Sequence, residues 1–283
     1  MRKQNIWLIG GDERQALLAG LFRDDGHEIH VYGLEQRLMG EDSINGIERA
    51  DCIMFPLPAL DAKGLINAPF SNLVLKPEHI LDLLRPKQII LAGKPNNALQ
   101  TMATLRSLEI LDYFAEEELA LFNAIPTAEG AIRIAMDYLS VTLHSARILI
   151  LGFGRLGQAL APRLRGLGAV VEASARRSEQ RALAESMGIG SQRPEELADW
   201  LHTYDLVINT VPAQILGVEE LSRLKEGTPI IDLASLPGGV DDESAAALGV
   251  KVIHALSLPG REAPLTAARY LRNTVYHMLE GRE

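Results

Sequence analysis

Two α/β domains, each a mainly parallel sheet flanked by helices, are predicted by three observations. Apolar segments of strand length run into glycine-bearing turns twice, at residues 5–12 and 148–157, and each turn leads into residues with helical apolar spacing. Strand and helix patterns then keep alternating along the chain, which is how parallel sheets are built. The 283 residues suffice for two domains with separate cores, and a hydrophobic share of 47% is ordinary for a globular enzyme.

The first domain is expected over residues 1–126. Asn5-Ile-Trp-Leu-Ile-Gly10-Gly11-Asp12 reads as a buried strand ending in a turn, and residues 13–23 read as a helix with Leu17, Leu18, Leu21 and Phe22 on its apolar side. His27 opens the next strand. The domain starts as a nucleotide-binding βαβ unit does, yet its turn lacks a third glycine, and Asp12 would repel a pyrophosphate. The turn suits a substrate instead: Arg14 can bind a carboxylate at the sheet edge while Asp12 and Gln15 set its direction. The alternative is a helix capped by Asp12 with Arg14 in solvent.

Cys52-Ile-Met-Phe reads as a strand leading to a loop at Pro58, residues 79–84 as a short helix, 87–97 as a strand with a polar turn, and 101–110 as a helix. In that turn Lys94 can contact a substrate carboxylate or reach a cofactor, and Asn96 either joins it or only forms the turn. The single cysteine, Cys52, cannot form an internal disulfide or a multi-thiolate metal site, and its apolar neighbours mark it as a buried structural thiol. Glu116-Glu117-Glu118 reads as a solvated turn, and without a compact ligand set it calls for no metal.

A bridging helix is expected over residues 127–143, with Thr127 as its N-cap. Its N-terminus would face the space between the domains, where Thr127 can donate to a substrate carboxylate and Glu129 or Arg133 can add polar contacts; a cap-and-surface role is the alternative.

The second domain, residues 144–260, is organised by Ile148-Leu-Ile-Leu-Gly152-Phe-Gly154-Arg155-Leu156-Gly157. This is a strand running into the three-glycine dinucleotide spacing: Gly152 makes the tight turn, Gly154 admits the backbone to a pyrophosphate, and Gly157 lets helix and strand pack closely. The next strand ends where the ribose is read, and Ser174, Arg176 and Arg177 offer donors and positive charge there, while Glu172 lies earlier in the strand. That pattern favours the 2′-phosphate of NADP(H) over the free hydroxyl of NAD(H), unless the arginines only solubilise the surface. Thr210, Val211 and Pro212 follow a further strand on the nicotinamide side, and Ala234 and Ser235 belong to a rim loop. His254 near the last strand's end is a candidate for proton transfer, against the alternative of a hydrogen-bonded structural histidine. Residues 261–283 form a helix expected to pack back toward the first domain. The expected whole is α/β, with two Rossmann-like domains flanking a cleft and the second binding NADP(H).

A formal charge of −9 argues against a general nucleic-acid surface. The N-terminus shows no apolar signal region and no run reaches membrane-spanning length, so a soluble cytoplasmic chain with small-molecule or protein partners is expected.

Taken together these segments resemble the A-subunit family of bacterial dipicolinate synthases. The resemblance is carried by Gly10-Gly-Asp-Glu-Arg14-Gln15, Gly93-Lys94-Pro-Asn96, Asn123-Ala-Ile-Pro126-Thr127-Ala-Glu129-Gly130, the glycine loop, Ser174-Ala-Arg176-Arg177, Asp232-Leu-Ala-Ser-Leu-Pro-Gly238-Gly239 and Ala255-Leu-Ser-Leu-Pro-Gly260. It implies a spore-formation enzyme, in the mother cell of a sporulating bacterium, that oxidises a dihydrodipicolinate-type intermediate of the lysine pathway to dipicolinate. NADP+ would accept hydride, a flavoprotein-like B subunit would be the partner, and a homo-oligomer is also open. Arg14, Lys94 and Thr127 would hold the carboxylates of the cyclic dicarboxylate substrate. The family motif carries a lysine where this chain has Leu236, so no general role attaches to a lysine there. The competing readings are an NADP-sensing or scaffolding subunit without turnover, and another NADP-dependent oxidoreductase of amino or keto acids.

Overall fold

The computed structural model describes residues 2–235 and 237–281, so Leu236 lies outside the described residues. The chain divides into two compact units, one comprising Met1–Asn123 with Pro259–Glu283 and the other Ala124–Leu258.

In the first unit, β1 (Asn5–Ile9), α1 (Glu13–Asp24), β2 (Glu28–Tyr32), β3 (Cys52–Met54), α2 (Pro77–Leu81), β4 (Ile89–Ala92), α3 (Asn97–Thr104) and β5 (Ile110–Asp112) alternate. The five strands form a parallel sheet in the order β2-β1-β3-β4-β5. The three inner strands are almost wholly buried and apolar, as a sheet covered on both faces requires. Helix α3 starts ahead of the expected 101–110 because Asn96 is its N-cap, its side-chain oxygen accepting the Leu99 N–H at 2.9 Å. Ile110 belongs to the following strand.

Helix α4 (Glu117–Tyr138) carries the chain into the second unit. It corrects the expected 127–143 bridge: the helix begins at Glu117, so Thr127 stands mid-helix and not at its N-cap. Pro126 was the misleading signal, since proline favours a first helical turn; here it lies inside the helix, where it has no N–H for the Phe122 carbonyl. The acidic run is likewise no turn, because Glu117 and Glu118 occupy the first helical turn, where the helix dipole favours negative charge.

The second unit continues with β6 (Arg147–Leu151), α5 (Arg155–Gly166), β7 (Val170–Ser174), α6 (Ser178–Ser186), β8 (Gly190–Gln192), α7 (Leu197–Trp200), β9 (Leu206–Asn209), α8 (Val218–Ser222), β10 (Ile230–Asp232), α9 (Asp242–Ala247) and β11 (Val252–His254). Its six parallel strands run β11-β10-β9-β6-β7-β8. The chain winds outward from β6 on one side, then crosses back to β9 and winds outward on the other. The loops after β6 and β9 therefore diverge at a topological switch point, the place where such sheets bind ligands. The first unit has the same feature between β1 and β3.

Helix α10 (Leu258–Glu262) and helix α11 (Pro264–Glu280) complete the chain. Ala268, Leu271, Val275 and Leu279 recur at helical spacing on α11 and share a core with Leu18, Ala19 and Phe22 of α1. The Tyr276 hydroxyl donates to Asp25 at 2.6 Å, and Arg272 pairs with the same carboxylate at 3.3 Å. Segments from both ends of the chain thus build one unit.

Cys52 is fully buried in β3, and burial pushes the pKa of its thiol up to about 12. Both access and thiolate are denied. The folded chain should therefore react with a thiol reagent at pH 8 only at the rate of unfolding, and stoichiometrically once denatured; rapid labelling of native protein would contradict this packing.

Candidate functional site

The glycine loop after β6 divides its work among three positions. Gly152 has φ +90°, and a Cβ there would lie 2.8 Å from Val211 Cγ2 and press on the Thr210 hydroxyl. A Cβ on Gly157 would collide with the Gly152 carbonyl oxygen. A Cβ on Gly154 would meet nothing within 4 Å. Gly152 and Gly157 are thus required by packing, whereas nothing within the chain requires glycine at 154 and its Cα face is open to an approaching group. Gly154 is also the N-cap of α5, with no side chain capping the free amides of that turn. The cradle fits the pyrophosphate of a dinucleotide, which those amides and the helix dipole would hold. Arg155 is exposed and Leu156 half-buried on the first turn of α5.

Thr210 ties the loop to β9. Its hydroxyl donates to the Leu151 carbonyl at 2.9 Å, so it builds the switch point. Val211 is half-buried and Pro212 exposed beside it. Asn209 and Asp232, both fully buried, join the ends of β9 and β10 through a 2.8 Å hydrogen bond, and Asp232 also accepts the Ala234 and Gly239 amides at 3.0 Å. This pair fixes the rim loop in which Ala234 is buried and Ser235 exposed. Sequence alone assigns neither residue this bracing role, because their partners are distant in the chain.

At the tip of β7 the expectation needs a correction. Ser174 is 3% exposed, and its hydroxyl is buried with no partner among the described residues, so it does not present a donor at the surface. Arg176 and Arg177 are exposed, and no ion pair engages either among the described residues. Glu172 accepts from Arg147 at 3.0 Å, from Gln192 at 2.8 Å and from the Tyr204 hydroxyl at 2.7 Å. Burial, and then this carboxylate, pushes the Tyr204 phenol above its ordinary range, which keeps it a donor. The one acid on β7 is thereby committed within the sheet. Arg181, which no sequence pattern singles out, donates from Nη1 to the Ala175 and Arg176 carbonyls.

His254 lies at the C-terminal end of β11. Its Nε2 is 2.8 Å from Asp242 and its Nδ1 is 3.9 Å from Asp232, so the structure supplies the carboxylate partner that spacing alone did not reveal. The side chain is 43% exposed, which leaves the ring accessible.

In the first unit the switch point is already filled. The Gly11 N–H donates to the Asn67 carbonyl at 2.8 Å, and a Cβ on Gly10 would meet that same oxygen at 2.9 Å. Protein backbone occupies the place a phosphate would need. Asp12 caps α1 through the Arg14 N–H and also grips the Arg14 guanidinium at 2.7 Å; Arg14 donates further to the Leu57 carbonyl. Arg14 is only 7% exposed, which corrects the alternative that left it in solvent. Gly260 of α10 lies over this pair: a Cβ there would be 2.8 Å from Arg14 Nε and 2.9 Å from Asp12.

Lys94 adopts φ +54°, its amide donates to Asp112 at 2.9 Å, and its side chain is exposed beside the α3 cap Asn96. Arg133 is exposed on α4 and pairs with Asp137 at 2.8 Å, one helical turn on. Thr127 is half-buried in the same helix. Arg14, Lys94 and Asn96 belong to the first unit, where Lys94 and Asn96 share one turn, and Thr127 and Arg133 belong to the second. Among the described residues no three His, Cys, Asp or Glu side chains form a metal-binding group, and no helix is long and apolar enough to cross a membrane.

Comparison with known proteins places these features in a family. Residues 5–114 match the model of the N-terminal domain of the dipicolinate synthase A subunit, and residues 123–257 match that of the NAD-binding domain of D-isomer specific 2-hydroxyacid dehydrogenases. The chain is 34% identical to the dipicolinate synthase A subunit of Bacillus subtilis (strain 168), over 97% of this chain and 95% of the relative. The crystal structure of the dipicolinate synthase A subunit from Bacillus halodurans superposes with a TM-score of 0.90 at 30% identity, covering 98% of this chain and 97% of that one. The corresponding Bacillus subtilis structure gives 0.89 at 32% identity, covering 99% and 97%. The second unit is a dehydrogenase domain of the nicotinamide-dinucleotide-binding class. The chain is an oxidoreductase that belongs to the A-subunit family of dipicolinate synthases.

Proposed function

We propose that this chain oxidises a dihydrodipicolinate-type cyclic dicarboxylate to dipicolinate with NADP+ as oxidant, in complex with a dipicolinate synthase B subunit in the mother cell of a sporulating bacterium. The observation that carries the cofactor choice is the tip of β7. Arg176 and Arg177 are exposed without an acidic partner among the described residues, while Glu172, the acid nearest a ribose diol in sequence, is held by three donors. When bound, the oxidised nicotinamide takes up the hydride lost as the ring becomes aromatic.

The remaining chemistry falls to side chains. Aromatisation also releases a proton, and His254, held by Asp242 and exposed at the C-terminal end of β11, is a titratable group that can accept it. Lys94 is the foremost contact for a substrate carboxylate, because its ammonium is exposed on a backbone fixed by Asp112. Arg14, with Asp12 and Leu57 on part of its guanidinium, can offer only its remaining edge. Asn96 and Arg133 stand behind these, since one already caps α3 and the other pairs with Asp137, and Thr127 does so because it is half-buried within α4.

Incubating the purified chain with freshly generated dihydrodipicolinate, with and without the B subunit, should yield dipicolinate and NADPH in equal amounts, with a higher kcat/KM for NADP+ than for NAD+. Cofactor binding without turnover even with the B subunit present would make the chain a sensor or scaffold. Reduced cofactor with a different product would make it another amino- or keto-acid oxidoreductase.

Two glycine variants separate packing from binding. Gly154→Ala should melt close to the unmodified chain but bind the dinucleotide at least about tenfold more weakly, because its Cβ occupies the phosphate's approach. Gly157→Ala should lose about 1–3 kcal/mol of stability from overpacking, read as a lower Tm. Unchanged cofactor affinity in a folded Gly154→Ala chain would remove the pyrophosphate from this loop.

A further inference from the structure

Beyond β7 the chain must turn within the short segment from Ala175 to Arg177 before α6 begins. A tight turn leaves backbone carbonyls without ladder partners, and at this place two consecutive ones are satisfied by a single side-chain nitrogen. Arg181 Nη1 lies 2.8 Å from the Ala175 oxygen and 2.9 Å from the Arg176 oxygen, so its two hydrogens serve the two carbonyls. Arg181 is itself fixed one turn into α6, where its own amide donates to the Arg177 carbonyl. That helix is anchored by Ala184, fully buried in the core that also holds Val171, Ala173 and Ala175 of the β7 segment. The Ala175 amide is taken by the Gln192 carbonyl at 3.1 Å. The turn is thus pinned from β8 and from α6, and Arg176 and Arg177 leave it toward solvent.

We infer that Arg181 is a positioning residue for NADP+ specificity: by drawing the Ala175 and Arg176 carbonyls toward α6 it holds Arg176 and Arg177 outward as a preorganised grip for the 2′-phosphate. The inference rests on the NADP reading above. Two effects act together. Carbonyl oxygens carry partial negative charge, and turned outward they would repel a phosphate dianion at the site that must attract it. Two long arginine side chains on a loose turn would also have to be ordered at binding, and that entropy would be lost from affinity. NAD+ lacks the 2′-phosphate and feels neither effect at this position.

Binding of NADP+ and NAD+ to the full chain by calorimetry tests this with four variants: Arg181→Met, Arg181→Lys, Arg176→Ala with Arg177→Ala, and the triple variant combining that pair with Arg181→Met. Arg181→Met should weaken NADP+ by about tenfold and NAD+ by less than about twofold, with most of the NADP+ affinity restored in Arg181→Lys, whose ammonium can still serve both carbonyls. Because Arg181 acts through its neighbours, adding Arg181→Met to the double variant should change nothing further. Equal weakening of both dinucleotides, no change in either, or a full additive loss in the triple variant would overturn the positioning role. If the double variant itself keeps the wild-type preference between the dinucleotides, the phosphate reading fails first and the inference falls with it. If the double variant loses that preference while Arg181→Met keeps it, only the role of Arg181 is overturned.

Discussion

The close approach of Gly157 to the Gly152 carbonyl is the constraint on which the second unit depends. It is possible only because Gly157 carries no side chain, and it sets α5 directly against the end of β6, while the bare Gly152 makes room for Thr210 and Val211. With the helix seated there, its first turn opens at Gly154, where no side chain competes for the amides. Thr210 bonds the Leu151 carbonyl from β9, and the Asn209–Asp232 pair extends the same bracing to β10. The first unit shows what happens without that arrangement. It has the same topological reversal and two left-handed glycines, yet the Asn67 carbonyl fills the turn, and a dinucleotide phosphate would have to displace a satisfied hydrogen bond.

Charge placement follows from this division of labour. A chain of net charge −9 leaves Arg176 and Arg177 without an ion-pair partner among the described residues and commits the nearest acid to a network with Arg147, Gln192 and Tyr204. In the first unit the opposite is true: Arg14 is neutralised by Asp12, bonded to the Leu57 carbonyl and covered by Gly260. This partly buried ion pair joins the segments after β1 and β3, with Gly260 of α10 packed over it, which makes it part of the frame of that unit. Removing Asp12 would leave the Arg14 guanidinium poorly hydrated, so the pair contributes structural definition even where its net stabilisation is small.

The sequence was most informative where the physics is local. Apolar runs of strand length and the glycine spacing identified β1, β3, β6, β9 and the glycine turn after β6, because strand burial and close packing leave direct marks on residue type. Boundaries were lost where two local rules conflict: Pro126 looks like a helix start but sits inside α4, and Asn96 looks like a turn residue but caps α3. Side-chain direction was lost where it depends on the pleat, which is why Ser174 reads as a phosphate donor although its hydroxyl is buried. Arg181 left no signature because its partners are backbone carbonyls, and His254 gained its carboxylate only when α9 folded beside β11.

On the proposed reading the nucleotide sits at the glycine turn after β6 and not at the one after β1, and amide hydrogen exchange with and without saturating NADP+ reads both turns at once. Exchange should slow in peptides covering residues 152–157 and 175–181, with peptides covering residues 10–15 unaffected because the Gly11 amide is already bonded to Asn67. Protection at residues 10–15 without protection at 152–157 would contradict that assignment.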